Sequence, residues 1–393
     1  MKRATADQVS TPAYVLSRST LTSNIKAARE AFAGWTIGYS VKTNWLPQIL
    51  QEVRMAGLCA EVVSEDEYRL ARASGFNPSD IIYNGPVKGR ETFLEALAEG
   101  ARVNIDSWRE IDWLNDIRMP AKVGIRINLS AEGETDPAVS RFGFSDNCED
   151  LAAAIARIRA IPNVSLNGLH LHRNTRGRRV DNYRNAIRQA VAIIEKYKLR
   201  GEVDTLDIGG NFSAPLPGKP SFGHYARAVT DELARTGYDH LRLIAEPGNA
   251  LIATAMDFVM TVIDVRTASD ESVLVTADGS RNDIDPLFRA NDWRRQVIPG
   301  AGSPALSCRR TAPLQVLCGC SCMEQDRILE FAGQPRLIPG DRIVIHHAGA
   351  YSLSLAPMFI RQLPAVYVLD GHDLTLCRSA WRPEMWRSGC LNC

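Results

Sequence analysis

An eight-fold barrel of alternating strands and helices, joined to a second domain made of β-strands, is the fold this sequence predicts. Three observations lead there. Short apolar runs alternate with helical patterns eight times between about residues 36 and 260, the rhythm of a closed (β/α)8 barrel. Most of these runs are apolar throughout, as strands covered on both faces are. Near Met256 the helical pattern stops, and strand-like runs separated by Gly, Pro and Asp take over. A doubly wound open sheet is the alternative, but Asp207-Ile-Gly-Gly-Asn211 lacks the GxGxxG turn of dinucleotide-binding sheets.

Taken in order, residues 12–16 read as a first strand and 20–32 as a helix with Thr22 or Asn24 near its start. The barrel units follow. Strand 36–41 precedes helix 46–55, which has Pro47 in its first turn. Strand 59–63 precedes helix 65–73, closed by Gly75, and strand 81–84 precedes helix 90–99, closed by Gly100. Strands 102–105 and 123–128 are followed by helices 108–115 and 148–160; strands 166–171, 205–208 and 241–245 complete the eight, with long helices at 181–197 and 223–237. In the last third, 258–263, 272–276, 314–317, 342–346 and 365–369 read as strands. The opening strand has no barrel unit before it and is assigned to this β domain, a sandwich or small barrel. The expected boundaries are 26–262 for the barrel, and 1–25 with 263–393 for the β domain. Residues 377–393, rich in Arg and Trp, read as a tail or edge covering.

Bulk properties narrow the function. The 393 residues exceed one hydrophobic core. With Lys+Arg 46 against Asp+Glu 45, a net charge of +1 gives no electrostatic footprint for nucleic acid. No apolar run is long enough for a membrane span, and the first residues lack the apolar core of a signal peptide. Nine cysteines without regular spacing do not form a secreted disulfide framework, so a cytoplasmic location is expected. Cys318, Cys320 and Cys322 alternate as on one strand face, and Cys390 and Cys393 form a CxxC. Neither has zinc-knuckle spacing, and no metal is expected.

The chemistry-bearing residues fall at the ends of the barrel strands: Lys42, Arg126, His170, His172, Gly209-Gly210 and Glu246. Each has an ordinary explanation alone, as a solvated lysine, a satisfied core histidine or a plain turn. Their common placement, where barrel enzymes keep their sites, argues for one site. The set suits pyridoxal 5'-phosphate. Its aldehyde needs an amine for a Schiff base (Lys42), and its ring needs a flat neighbour (His172). Its phosphate suits backbone N–H groups at Gly209, Gly210 and Asn211, and at the turn Pro247-Gly248-Asn249. Glu246 would keep the pyridine nitrogen protonated through a charge-assisted hydrogen bond.

With these residues in view, the sequence resembles the fold-type III pyridoxal-phosphate decarboxylases of the diaminopimelate and ornithine decarboxylase group, over about residues 12–372. Tyr39-Ser-Val-Lys42-Thr-Asn44 looks like the family's Schiff-base stretch, and Gly168-Leu-His-Leu-His172 like the strand whose second histidine stacks on the cofactor. Leu206–Asn211 resembles the glycine loop at the phosphate, Glu246-Pro-Gly248 the Glu-Pro-Gly-Arg turn, Gly319–Asp326 the segment Gly-Pro-x-Cys-Glu-x-x-Asp, and Ala348–Tyr351 the tyrosine segment that touches phosphate. The resemblance implies a homodimer with shared active sites, in which Cys322 reaches the partner's cofactor and returns a proton to the substrate carbon, while Tyr351 serves its own subunit. Glu61, Arg126 and Thr175 join the expected cofactor set.

This chain departs from the family's pattern chiefly toward the phosphate and the substrate. Asn211 replaces the third loop glycine, Asn249 the arginine after Glu-Pro-Gly, and Thr175 a serine. Met323 stands where the family has the acid that grips a distal ammonium, with Glu324 one residue on. Where diaminopimelate enzymes carry an arginine for the distal carboxylate, the match is Asp285, with Arg281 nearby. An unpaired buried ammonium is costly, so the expected substrate is a larger or modified amino acid. An amino-acid conjugate, free or carrier-bound, of siderophore or antibiotic metabolism fits, with the run Arg173–Arg179 either meeting its anionic part or simply solvated. The alternatives are a racemase of the same fold, a non-catalytic cofactor-binding homologue and a barrel hydrolase. Racemases of this fold keep the pyridine nitrogen unprotonated through an arginine, against which Glu246 stands. The joint presence of Lys42, Glu246 and Cys322 argues against a binding homologue. For a hydrolase using Glu246, the sequence shows no paired carboxylate placed to help it.

Overall fold

The computed structural model describes residues 3–129, 140–146, 148–173, 177–289 and 293–389. The chain divides into two compact units, one of Asn24–Leu251 and one joining Met1–Ser23 to Ile252–Cys393. The first strand, β1 (Ala13–Ser17), belongs to the second of these. The barrel strands follow as β2 (Thr36–Ser40), β3 (Cys59–Val62), β4 (Ile81–Tyr83), β5 (Arg102–Ile105) and β6 (Ala121–Asn128). After a two-residue β7 (Phe144–Ser145) come β8 (Val164–His170), β9 (Thr205–Asp207) and β10 (Arg242–Ala245).

All eight pair in parallel in the order β5-β4-β3-β2-β10-β9-β8-β6, and β6 pairs back to β5 with Val103 opposite Val123 and Ile105 opposite Ile125, which closes the barrel. The expected barrel is therefore present, with every predicted strand in its place. The strand interiors are apolar and buried, as in Ile81-Ile82-Tyr83, because helices cover one face and the barrel interior the other. Local signals set the helix ends. Ser64 Oγ accepts the Glu67 N–H at 3.2 Å to start Glu65–Ala73, and Gly237, at φ 71°, ends Phe222–Thr236 in the left-handed region.

The second unit is one open sheet. Its further strands are β11 (Met256–Thr267), β12 (Val273–Ala277), β13 (Arg295–Ile298), β14 (Thr311–Cys318), β15 (Arg327–Pro335), β16 (Arg342–Ile345), β17 (Ala365–Asp370) and β18 (Asp373–Arg378). The order is β15-β14-β12-β11-β1-β17-β18, with β16 joining β13 to β11. The opening strand sits inside this sheet, antiparallel to β11 and parallel to β17. Helix Arg3–Gln8 adds Ala6 to a core shared with Val15, Val259, Ile298 and Val344.

Three strands of this unit escape the sequence pattern. β13 (RQVI) and β15 (RILEFAGQP) mix polar and apolar residues without a continuous apolar run, and β18 lies at a sheet edge, overlapping the expected tail only at Cys377 and Arg378. The three alternating cysteines do not share a strand face. β14 ends at Cys318, because Gly319 N–H turns to the Asp326 carbonyl at 2.8 Å and leaves Cys320 and Cys322 in a loop. Among the described residues every cysteine is free; Cys390 and Cys393 lie outside them. No helix of the described residues is long and apolar enough to cross a membrane.

One buried ion pair braces the barrel. Lys88 Nζ donates to Glu110 Oε2 at 3.0 Å, Gly85 O at 2.8 Å and Asn104 O at 2.9 Å, and neither charged side chain reaches solvent. Removing one member strands the other charge in low dielectric. Lys88→Met should therefore cost about 3–5 kcal/mol, read as a lower urea midpoint, and Glu110→Gln added to it should recover part. An unshifted midpoint would remove this brace from the account.

Candidate active site

Each of the eight barrel strands delivers a polar residue to its C-terminal end. Lys42 follows β2 in a short 3-10 turn (Val41–Thr43), Glu61 lies in β3, Asn84 follows β4 and Asn104 lies in β5. Arg126 lies in β6, His170 and Asp207 end β8 and β9, and Glu246 follows β10. All are buried except Lys42, which is 34% exposed and so remains reachable by a ligand.

These groups form one network. Lys42 Nζ donates to Glu61 Oε2 at 2.6 Å. The Asn84 amide donates to Glu61 Oε1 at 3.1 Å and to Glu246 Oε1 at 2.6 Å. Asn104 donates to Asn84 Oδ1 at 2.8 Å and to Asp207 Oδ2 at 3.4 Å. Arg126 pairs with Asp106 at 2.8 Å and reaches the His172 carbonyl at 3.4 Å. Glu246, Asp207 and His170 converge with ligand atoms within 4.8 Å of one another.

Two buried carboxylates this close cannot both be charged. Burial, and then repulsion from Glu246, pushes Asp207 well above the usual carboxylate range. Burial also opposes charge on Glu246, but the adjacent His170, the contact with Asp207, and Lys42 outweigh it and hold Glu246 below that range. The pair thus shares one proton, carried by Asp207, and Glu246 is the anion. His170 Nε2 lies 3.5 Å from Glu246 Oε2, yet neither ring nitrogen of His170 has a hydrogen-bond partner. Orphaned buried polar atoms beside a held carboxylate are what a site for a polar ring requires.

The His172 ring is neutral. Burial first, then Arg126 and Lys42, push it down to about 3. Its Nδ1 accepts the Gly210 N–H at 3.0 Å, which leaves the proton on Nε2. Gly209 N–H bonds Asp207 Oδ1 at 2.9 Å, so the two glycine amides expected to meet the phosphate are instead engaged within the site, where they hold the loop in shape. Asn211 keeps a glycine-like φ of 72°, which asparagine tolerates, so its substitution leaves the turn intact. At Gly210 a Cβ would fall 2.4 Å from the Glu246 carbonyl oxygen, and at Gly248 one would fall 2.1 Å from Thr43 Oγ1. The Glu246-Pro-Gly turn can therefore approach the Lys42 turn only with glycine there.

Of the residues expected from sequence, the barrel unit brings together Lys42, Glu61, Arg126, His172, Gly209, Gly210, Asn211, Glu246 and Gly248; Asn249 opens the four-residue helix Asn249–Ile252. Thr175 lies outside the described residues. Arg281, Asp285, Cys322, Met323, Glu324 and Tyr351 belong to the β unit. There Arg281 pairs with Asp285 at 3.1 Å, and Cys322 and Tyr351 are exposed. Sequence reading missed Asn84 and Asn104 and the acid-sharing role of Asp207. Their signal is a polar residue closing an apolar strand in every repeat.

The residues fit pyridoxal phosphate: an amine beside a carboxylate, a neutral ring on a glycine loop, and an ionised glutamate facing orphaned nitrogens. The family described as pyridoxal-dependent decarboxylase, pyridoxal binding domain, matches residues 18–253. The chain belongs to this family. It is a fold-type III decarboxylase, related to the diaminopimelate and ornithine decarboxylase group, and pyridoxal 5'-phosphate is its cofactor. It is 29% identical to diaminopimelate decarboxylase of Actinosynnema pretiosum subsp. auranticum, over 97% of this chain and 89% of that one. It is 30% identical to a probable chloroplastic diaminopimelate decarboxylase of Oryza sativa subsp. japonica, over 94% of this chain and 77% of that one. Among solved structures, diaminopimelate decarboxylase from Helicobacter pylori, complexed with L-lysine, superposes with a TM-score of 0.84 at 22% identity, over 97% of each chain. Lysine/ornithine decarboxylase from Vibrio vulnificus, complexed with putrescine, gives 0.78 at 20% identity, over 93% of this chain and 96% of that one. At such identities the superpositions speak for the fold.

The depressed His172 makes a pH prediction for the cofactor-free decarboxylase. Unfolded histidine takes its proton near pH 6.5, whereas the folded ring does so near 3. Between these values the unfolded chain binds more protons, so stability falls as pH drops from about 6.5 toward 3. His172→Gln should flatten that part of the slope in urea titrations at stepped pH. Identical slopes would mean that the ring is not held neutral.

Proposed function

We propose that this decarboxylase removes the α-carboxylate of an amino acid or amino-acid conjugate, with Lys42 anchoring the cofactor, Glu246 at its pyridine nitrogen and Cys322 returning the proton to the substrate carbon. The observation that carries the reading is Glu246, buried and held anionic beside Asn84, Asp207 and His170. An anion there accepts a pyridinium N–H and favours flow of electrons into the ring, the chemistry the cofactor supplies when bound. A racemase of this fold would place an arginine at that nitrogen, and Glu246 argues against it.

The chain's own groups have distinct tasks. Glu61, hydrogen-bonded to Lys42, orients the amine and takes part of its charge. The neutral His172 offers a flat face without repelling a cationic ring, and the Gly209–Asn211 loop shapes the phosphate end with Thr175, Gly248, Asn249 and Tyr351. On the substrate side, Arg281 is already neutralised by Asp285, donates to the Arg327 carbonyl at 3.2 Å and lies over Phe288 at 4.8 Å. With Met323 in place of an acid, this supports a substrate lacking both the distal carboxylate and the distal ammonium of simple diamino acids. A conjugated or carrier-bound amino acid of specialised metabolism meets that description. The enzyme acts as a homodimer in this reading, with Cys322 serving the partner's site, in the cytoplasm.

Borohydride reduction followed by peptide mass mapping should find the cofactor on Lys42 and lose it in Lys42→Ala. Cys322→Ala should retain the cofactor but slow carbon dioxide release roughly 100-fold or more, the scale of a lost general acid. Unchanged turnover would end its role as donor. Among candidate substrates, turnover of diaminopimelate equal to that of any conjugate would overturn the substrate class. Mixing equal amounts of the Lys42→Ala and Cys322→Ala proteins, each with little or no turnover alone, should restore about a quarter of wild-type turnover, because half of the random dimers carry one intact site. No recovery after subunit exchange would exclude shared sites.

A further inference from the structure

The loop carrying Cys322 has no apolar anchor. From Ser321 to Gln325 no side chain is buried, and Cys322 and Glu324 are exposed. Yet the loop does not hang free of the sheet, because Asp326 at its end is only 2% exposed and its carboxylate is ringed by donors. Oδ1 accepts the Arg281 N–H at 2.7 Å. Oδ2 accepts the Ser280 hydroxyl at 3.0 Å and the Ser321 N–H at 3.0 Å. The backbone of Asp326 completes the turn, its N–H donating to Met323 O at 3.0 Å and its carbonyl accepting Gly319 N–H at 2.8 Å. Cys320 N–H reaches the Gly279 carbonyl at 2.9 Å, a second tie between the same two segments.

Gly319 makes the approach possible. A Cβ there would lie 2.3 Å from Asp326 Oδ1 and 2.4 Å from Oδ2. Three donors around one group call for an acceptor-only side chain, and among amino acids that is a carboxylate. Each hydrogen bond to a charged acceptor is also stronger than a neutral one.

We propose that Asp326 is a positioning residue for decarboxylation: its carboxylate locks the Cys322 loop to the Ser280–Arg281 turn and thereby sets the thiol and the substrate-side arginine in one fixed relation. This rests on the reading of Cys322 as proton donor. Asp326 itself touches neither substrate nor cofactor in this role. It acts by fixing where the Cys322 backbone sits, and proton return is sensitive to that placement.

The test uses the cofactor-loaded enzyme and its Asp326→Asn, Gly319→Ala and Ser280→Ala variants. Asparagine keeps the size but presents an N–H group to donors, and the Gly319→Ala methyl pushes the carboxylate away. Both should raise deuterium uptake together in peptides spanning residues 278–285 and 319–326. They should also lower kcat roughly 10- to 100-fold with little change in KM. Ser280→Ala, which removes one donor, should do both to a smaller degree. In a Cys322→Ala background Asp326→Asn should lower kcat no further, because the group it positions is gone.

Uptake that rises in only one of the two peptides, or kcat losses that add in the double variant, would overturn the proposal. If Cys322→Ala alone leaves turnover intact, the donor reading fails, while the exchange data still judge the lock. Should Asp326→Asn not fold, Gly319→Ala and Ser280→Ala carry the same comparison.

Discussion

A carboxylate kept charged inside a barrel is the constraint on which the active-site end of this protein is built. Glu246 has almost no contact with water, and an isolated anion there would take up a proton. It stays ionised because the Asn84 amide bonds it directly, Asp207 holds the shared proton, and His170 stands beside it. Those partners come from separate strands, so the charge is stable only when the barrel is closed. Fold and electrostatics are one problem here.

The same constraint explains where small or neutral residues stand. Glycine at 210 and 248 lets two backbone turns close around the carboxylate and the lysine. Asn104, bonded to Asn84 and near Asp207, keeps its backbone carbonyl on the buried Lys88. A cation wholly within the protein thus supports the neutral amides that support the anion. Such polar networks must be satisfied throughout, since each unpaired member costs more than it contributes. Within this network the His170 nitrogens and Glu110 Oε1 make no hydrogen bond.

The β unit solves a different problem by related means. Its loop Ser321–Gln325 buries no side chain, and Arg281 and Asp285 satisfy one another rather than facing outward. A carboxylate at Asp326 substitutes for an apolar anchor, which holds a loop in place while leaving its side chains exposed. An exposed yet fixed loop is suited to presenting a thiol.

The sequence by itself determined the eight strand–helix repeats, the change to β structure near Met256, the family and the lysine, histidine and glutamate motifs. These follow from local periodicity and short spacings, which a chain carries without reference to its fold. β13, β15 and β18 were illegible because strands with one covered or edge-exposed face lack a continuous apolar run. Tertiary structure alone decided which polar groups meet. Asn84 and Glu246 are 162 positions apart, and Asp326 lies 45 positions from the amide of Arg281. Hydrogen bonds over such separations depend on strand order and barrel closure, so no local pattern announces them. The proton shared by Asp207 and Glu246 is decided at the same level, because repulsion and desolvation act through space rather than along the chain.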